Sequence, residues 1–174
     1  EAGLNPDKAP QNWKELKEAA HRLTKKDASG KVVQYGIQIP STGFAYWMLQ
    51  TLTTPNDVLL ANEAGTQVTL DSPKVVEALD FWVGLVKEGV HPAGVVEWGT
   101  TPKDFMEKKA AIIVTTTGNL TNIRANAKFD FGVGQIAGNV RKGSPTGGGN
   151  FYLFKKAPRE QQEAAFQFMK WVTQ

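Results

Sequence analysis

Thr115, Thr116, Thr117, Gly118 and Asn119 follow an apolar run and precede a short helical pattern. A strand that stops at such a junction delivers hydroxyls and backbone N–H groups to one spot, because the first amides of a helix lack intrahelical partners. That chemistry suits an anionic or polyhydroxyl ligand. The same residues also serve as ordinary helix caps, so the local pattern leaves both roles open. Two further places share this ambiguity. Phe44, Tyr46 and Trp47 cluster directly after Gly43 and could set an aromatic face against a ligand's CH groups, or simply pack a core. Thr146, Gly147, Gly148, Gly149 and Asn150 could let a backbone approach a ligand closely, or form a surface loop.

Other chemistries lack their residues. There is no cysteine, hence no disulfide, thiolate nucleophile or cysteine metal site. The two histidines, His21 and His91, lie far apart in sequence, and a metal centre or cofactor is not expected. Glu77, Asp80, Glu88, Glu160 and Glu163 fall on polar helix faces, which leaves no carboxylate pair for acid–base work. No GxSxG elbow occurs, and the GVG of residues 132–134 is too short for a dinucleotide fingerprint. A formal charge of +3, from 20 basic and 17 acidic residues spread along the chain, makes no case for nucleic acid. No apolar run approaches the roughly 18–20 residues that span a bilayer.

The positioning elements are read from periodicity. Asn12 with Glu15 makes a capping box, and Trp13, Leu16, Ala20 and Leu23 recur at helical spacing, so a helix is expected over 12–26. Residues 32–39 read as a buried strand ending at Pro40, and the aromatic cluster begins another helix. Residues 57–70 should be short extended pieces with a turn at Gly65. Ser72 and Pro73 start a helix whose stripe is Val75, Leu79, Trp82 and Val86, ended by Gly89. A helix from Thr101 through Lys109 hands over to a strand at 110–114, followed by a helix over 119–127. Strands are expected at 129–134 and 151–154. A last helix opens near Pro158 and should bury Ala165, Phe168, Met169 and Val172. Strands alternating with helices predict an α/β fold with a mainly parallel sheet in one large domain. In such a sheet the three loops would meet if they sit at its carboxyl edge.

Taken in order, EAGLNPDKAPQNWKELKEAAHRLT, YGI, FMEKKAAIIVTTTGNLTNIR, KFDFGVG, GGGNFYLF and AAFQFMKWV resemble the family 1 extracellular solute-binding proteins of bacterial ABC importers over nearly the whole chain. Within that family TTTGNLTNIRANAKFDFGVG is most similar to the sn-glycerol-3-phosphate binders. The resemblance implies one lobe, residues 1–174, of a two-lobed type II periplasmic-binding fold, its first lobe being absent. This accords with a chain that starts at Glu1 and stops at Gln174 within an apolar-periodic segment, as an excised piece would. It further implies ligand contacts at Phe44, Thr116 and Gly148, to which the local residue chemistry adds Trp47, Thr117 and Gly118 as candidates, and it implies a small-molecule solute, a membrane permease as partner, and a periplasmic or extracellular location. The sn-glycerol-3-phosphate binders usually have Trp at the position of Phe44 and a smaller hydroxyl at that of Thr116. These departures leave room for a related phosphodiester or a sugar. An enzyme handling phosphoesters is the competing class.

Overall fold

A computed structural model describes residues 2–174. Helix α1 spans Trp13–Leu23. It is nucleated as the sequence predicts: Asn12 Oδ1 accepts from Glu15 N at 2.9 Å, and the Glu15 carboxylate reaches back to the amide of Gln11 at 2.9 Å. It ends three residues before the predicted limit because Thr24 is extended, and its hydroxyl donates to Ala20 O (2.8 Å) while accepting from Gly36 N (3.0 Å). That hydroxyl ties the helix end to the sheet, and Lys25–Lys26 becomes the short strand β1. Strand β2 spans Val32–Gln38. Helix and strand touch backbone to backbone at Gly36, where a Cβ would come 1.8 Å from Ala20 O.

Strand β3, Ala110–Ile113, lies parallel to β2 with Tyr35 opposite Ala110 and Ile37 opposite Ile112, and β1 lies antiparallel on the other side of β2. The α/β layering follows the predicted alternation, and its sheet is small and mixed, ordered β1-β2-β3. Helices α2 (Ala45–Thr53) and α3 (Pro73–Lys87) pack on each other beside the sheet. Ile37, Ile39, Met48, Leu52, Ala78, Leu85 and Val90 form the core with Trp13 and Leu16. Ser72 caps α3 through Val75 N, with Pro73 in the first turn. The buried line of α3 is Val75, Ala78 and Leu85, while Leu79 of the predicted stripe is 40% exposed. The face is set by α1: Phe81 stacks on Trp13 with ring centres 4.5 Å apart, which turns Leu79 outward.

Residues 61 and 68 form one isolated antiparallel bridge, with Gly65 at φ +66° turning the chain between them. Helix α4 spans Thr101–Met106 and stops short of Lys109 because Lys108 adopts a left-handed φ of +60°. After β3 comes a 3₁₀ turn at Thr117–Asn119, then α5 at Leu120–Asn126. Neither predicted strand at 129–134 and 151–154 forms. Phe129 and Phe131 pack on Phe105 instead, with ring centres 5.3 and 5.8 Å away, and Phe151 to Phe154 are exposed. The last helix, α6, spans Arg159–Val172, but none of its residues is buried, so Ala165, Phe168, Met169 and Val172 do not form the expected core face. Apolar periodicity shaped this helix without a surface among the described residues to cover it.

Candidate ligand-binding rim

Because β2 and β3 run parallel, their carboxyl ends share one edge, where Val114 N donates to Gln38 O at 3.0 Å. The segments after them therefore leave the sheet side by side. The first is anchored by Ser41 and Thr42, whose amides donate to Val96 O at 2.8 and 3.2 Å, while Ser41 Oγ accepts from Val96 N. This pairing brings Trp98 to the aromatic cluster. Gly43, at φ +75°, lies against Trp98, where an added Cβ would come 2.8 Å from Trp98 Cβ. Phe44 packs edge-on to Trp98 (5.2 Å) and to Trp47 (6.2 Å), and the two indoles are 5.9 Å apart. Phe44 keeps 42% of its surface exposed. Beside the cluster Thr42 Oγ1 donates to Glu97 Oε2 at 2.5 Å.

The glycine-rich loop reaches the same place. A Cβ on Gly147 would fall 2.3 Å from the Trp47 ring, so the absence of a side chain at 147 lets the main chain come this close to the indole. Close approach is made by Gly147, whereas Gly148 next to it faces open space. Trp47 Nε1 is buried and has no hydrogen-bond partner among the described residues. A buried donor left unpaired is costly, which makes it a feature that asks for an acceptor.

His91 braces the base of this rim. Ile39 N donates to His91 Nε2 at 2.9 Å, the Trp82 indole approaches the same nitrogen at 3.4 Å, and His91 Nδ1–H donates to Pro92 O at 2.7 Å. Ile39 O also lies 3.2 Å from Nε2, but a nitrogen that accepts the Ile39 amide has no proton to offer it. Burial pushes the His91 pKa below its usual value, so the ring is neutral and structural. His21 is exposed and sits 2.6 Å from Glu88, whose carboxyl is held below the usual range by hydrogen bonds from Lys17 and His21.

The threonine junction closes on itself in part. Thr116 Oγ1 accepts from Gly118 N at 3.2 Å, Asn119 N donates to Thr116 O, and Thr115 Oγ1 accepts from Asn119 Nδ2 at 2.7 Å. The Gly118 amide is thus already engaged, while the Thr116 hydroxyl, having accepted, keeps its proton to donate. Thr115, Thr116 and Thr117 line a groove of about 1220 Å³ that also meets Thr51 and Leu52 of α2. Helix α2 is the shared wall, with Trp47 in the aromatic cluster and Thr51 on the groove. Trp98, Thr42 and Glu97 escaped the sequence reading, and the available signal was a tryptophan standing in EWGT, a segment without periodicity.

A family model for bacterial extracellular solute-binding proteins matches residues 2–174. The chain belongs to that family. Among relatives of this solute-binding chain, the sn-glycerol-3-phosphate-binding periplasmic protein UgpB of Yersinia enterocolitica is 26% identical over 184 residues, covering 99% of the chain and 40% of the relative. The solute-binding chain therefore spans about two-fifths of the length of the curated relatives it matches. In fold it is similar to the maltose/maltodextrin-binding domain MalE of Bdellovibrio bacteriovorus bound to maltotriose, with a TM-score of 0.77 and 20% identity over 96% of this chain and 44% of that one. It is likewise similar to UgpB of Mycobacterium tuberculosis in complex with glycerophosphocholine, with a TM-score of 0.71 and 19% identity over 99% and 42% of the two chains. These similar proteins are binding proteins and not enzymes, which removes the ground for a phosphoester-handling enzyme.

Proposed function

We propose that this chain is one ligand-binding lobe of an ABC-importer receptor that takes glycerol-3-phosphate or a related glycerophosphodiester. The observation that carries the reading is the gathering of Phe44, Trp47, Trp98 and Gly147 beside the carboxyl edge from which the Thr115–Gly118 turn also leaves. In this reading the Thr116 hydroxyl donates to a phosphate or hydroxyl oxygen, and the exposed Phe44 face packs on carbon. Trp47 and Trp98 back that face, and the open backbone at Gly148 contacts the ligand directly. Thr117 and Gly118 shape the turn. The other lobe supplies the opposing contacts, closure between lobes excludes water, and the closed surface is what a membrane permease engages in the periplasm or outside the cell. The relatives named for sn-glycerol-3-phosphate support this ligand class.

A sugar or oligosaccharide is the second reading. What favours it is the cluster of three aromatic rings, a surface complementary to the CH face of a pyranose, together with a carboxylate, Glu97, close by to accept from hydroxyls. Calorimetry on the full-length parent with glycerol-3-phosphate, glycerophosphocholine and maltotriose separates the two. Binding of either phosphate ligand, lost in Thr116→Val, is expected. Binding of maltotriose alone overturns the phosphate reading in favour of sugar. The lobe by itself, holding half the contacts, should show no micromolar binding.

A further inference from the structure

Residues 139–147 form neither helix nor strand, so no ladder of hydrogen bonds sets the path that brings Gly147 to Trp47. Length does not set it either. Trp47 and Pro55 lie about 12 Å apart at the helical rise, whereas the chain from 141 to 147 can stretch to about 20 Å. The resting place of the loop also carries a cost. A Cβ at 147 would fall on Cζ2 and Cε2 of the indole, and Cε2 is bonded to Nε1, the buried donor without a partner among the described residues. The loop is therefore held down from elsewhere.

The hold lies at the other end of α2. Pro55 O accepts from both Val140 N (3.0 Å) and Arg141 N (3.1 Å). Asn56 is fully buried; its Nδ2 donates to Lys74 O and to Glu77 Oε2 of α3, each at 2.8 Å, and its Oδ1 accepts from Asn139 Nδ2 at 2.7 Å. Asp57 takes a left-handed φ of +57°, which aspartate and asparagine tolerate, and its carboxylate meets Arg141 Nε at 3.1 Å and Lys74 Nζ at 3.4 Å. Thr54 packs on Gly143, where a Cβ would come 3.1 Å from the threonine Cγ2. Four consecutive residues thus grip the loop, and Asn56 and Asp57 are themselves tied to α3.

We propose that Asn56 and Asp57 are positioning residues for the ligand site: through Asn139 and Arg141 they fix residues 139–147 along α2, so that the glycine backbone already lies against Trp47 when a ligand arrives. This rests on the reading of the rim as a ligand site. A backbone set in place beforehand has little freedom left to lose on binding. Asn56 suits the task because a buried amide with both donors engaged admits one arrangement of its partners, whereas an apolar residue of the same size would fill the space without choosing where the loop lies.

The double variant Asn139→Ala/Asp57→Asn cuts one tie from each residue and keeps a side chain that tolerates the left-handed turn. Exposed ion pairs add little to stability, so it should melt within about 2 °C of wild type. Without ligand, the amides of residues 140 and 141 should exchange about 10-fold faster, and tryptophan emission should move to the red as water reaches Trp47 Nε1. The full-length parent is titrated with glycerophosphocholine and with maltotriose, and the dissociation constant of whichever binds should rise about 10-fold. Asn56→Ala should produce the same changes together with a lower melting temperature; if it does not fold, the double variant still decides. Unchanged exchange and emission in the double variant overturn the proposal. So does a red shift that comes only with a large drop in melting, which makes the role purely structural, and so does a loosened loop with wild-type affinity. If neither probe binds the wild-type parent, the ligand reading itself fails, while exchange and emission still tell whether these residues set the loop.

Discussion

Ile37 and Ile39 near β2, and Phe151, Phe154, Phe168 and Trp171 in the last quarter, are all large apolar residues in segments patterned for burial. The first two are fully buried, whereas the other four are between 53% and 78% exposed. Near β2 the covering surfaces belong to the same chain: α1 presses on Gly36, α2 contributes Met48 and Leu52, and α3 contributes Leu85. In the last quarter Phe151 packs edge-on to Phe168, and Phe168 lies beside Trp171, but among the described residues nothing buries them. A periodic apolar pattern therefore specifies a helix and says which side wants cover. Whether cover exists is a property of the rest of the molecule.

The contrast can be broken most directly in the core. Ile37→Ala should cost about 2–5 kcal/mol in denaturant unfolding, since a buried side chain touching several elements leaves a cavity. A loss no larger than that of a surface change would mean the β2 core is not the stabilising region. Next in size, Gly147→Ala should cost about 1–3 kcal/mol and shift the tryptophan emission, because the new methyl displaces the Trp47 ring, while Gly148→Ala should do neither. Equal effects at the two glycines would remove the loop from the aromatic cluster.

A pH titration sharpens the comparison at the base of the rim. The folded pKa of His91 lies below its ordinary value of 6.5, so the unfolded chain takes up the proton first. Stability should be fully present above about pH 6.5 and fall as pH drops toward the folded pKa. Glu88 and Glu107 also have lowered values, but their losses begin only as pH approaches the usual glutamate value of 4.5, which leaves the interval above to His91. In His91→Gln that limb should flatten, and a slope that persists would assign the titration to another group. The smallest effect is expected at Trp171→Ala, within about 0.5 kcal/mol of wild type in this chain. A larger loss would show that α6 is covered after all.

Much of the fold was legible because its signals are local. The Asn12–Glu15 capping box, the Ser72–Pro73 start and the Gly65 turn each depend on residues within four positions, and each appears where expected. Of the rim, Phe44 and Trp47 were legible as a cluster and Thr116 as a cap, yet Trp98 was not. Its partner Phe44 lies 54 positions earlier, and the pairing of Ser41 and Thr42 with Val96 and Glu97 unites them.

By itself the sequence determined the family, the α/β alternation, most element starts and the residue types available to a ligand. Tertiary structure decided which face of α3 is inside, where α1 yields to β1, that Gly147 and not Gly148 touches Trp47, and that β3 stands at an edge of the sheet. The reason is range: capping and periodicity act through hydrogen bonds and spacings within a turn or two, whereas burial depends on surfaces brought together from distant parts of the chain.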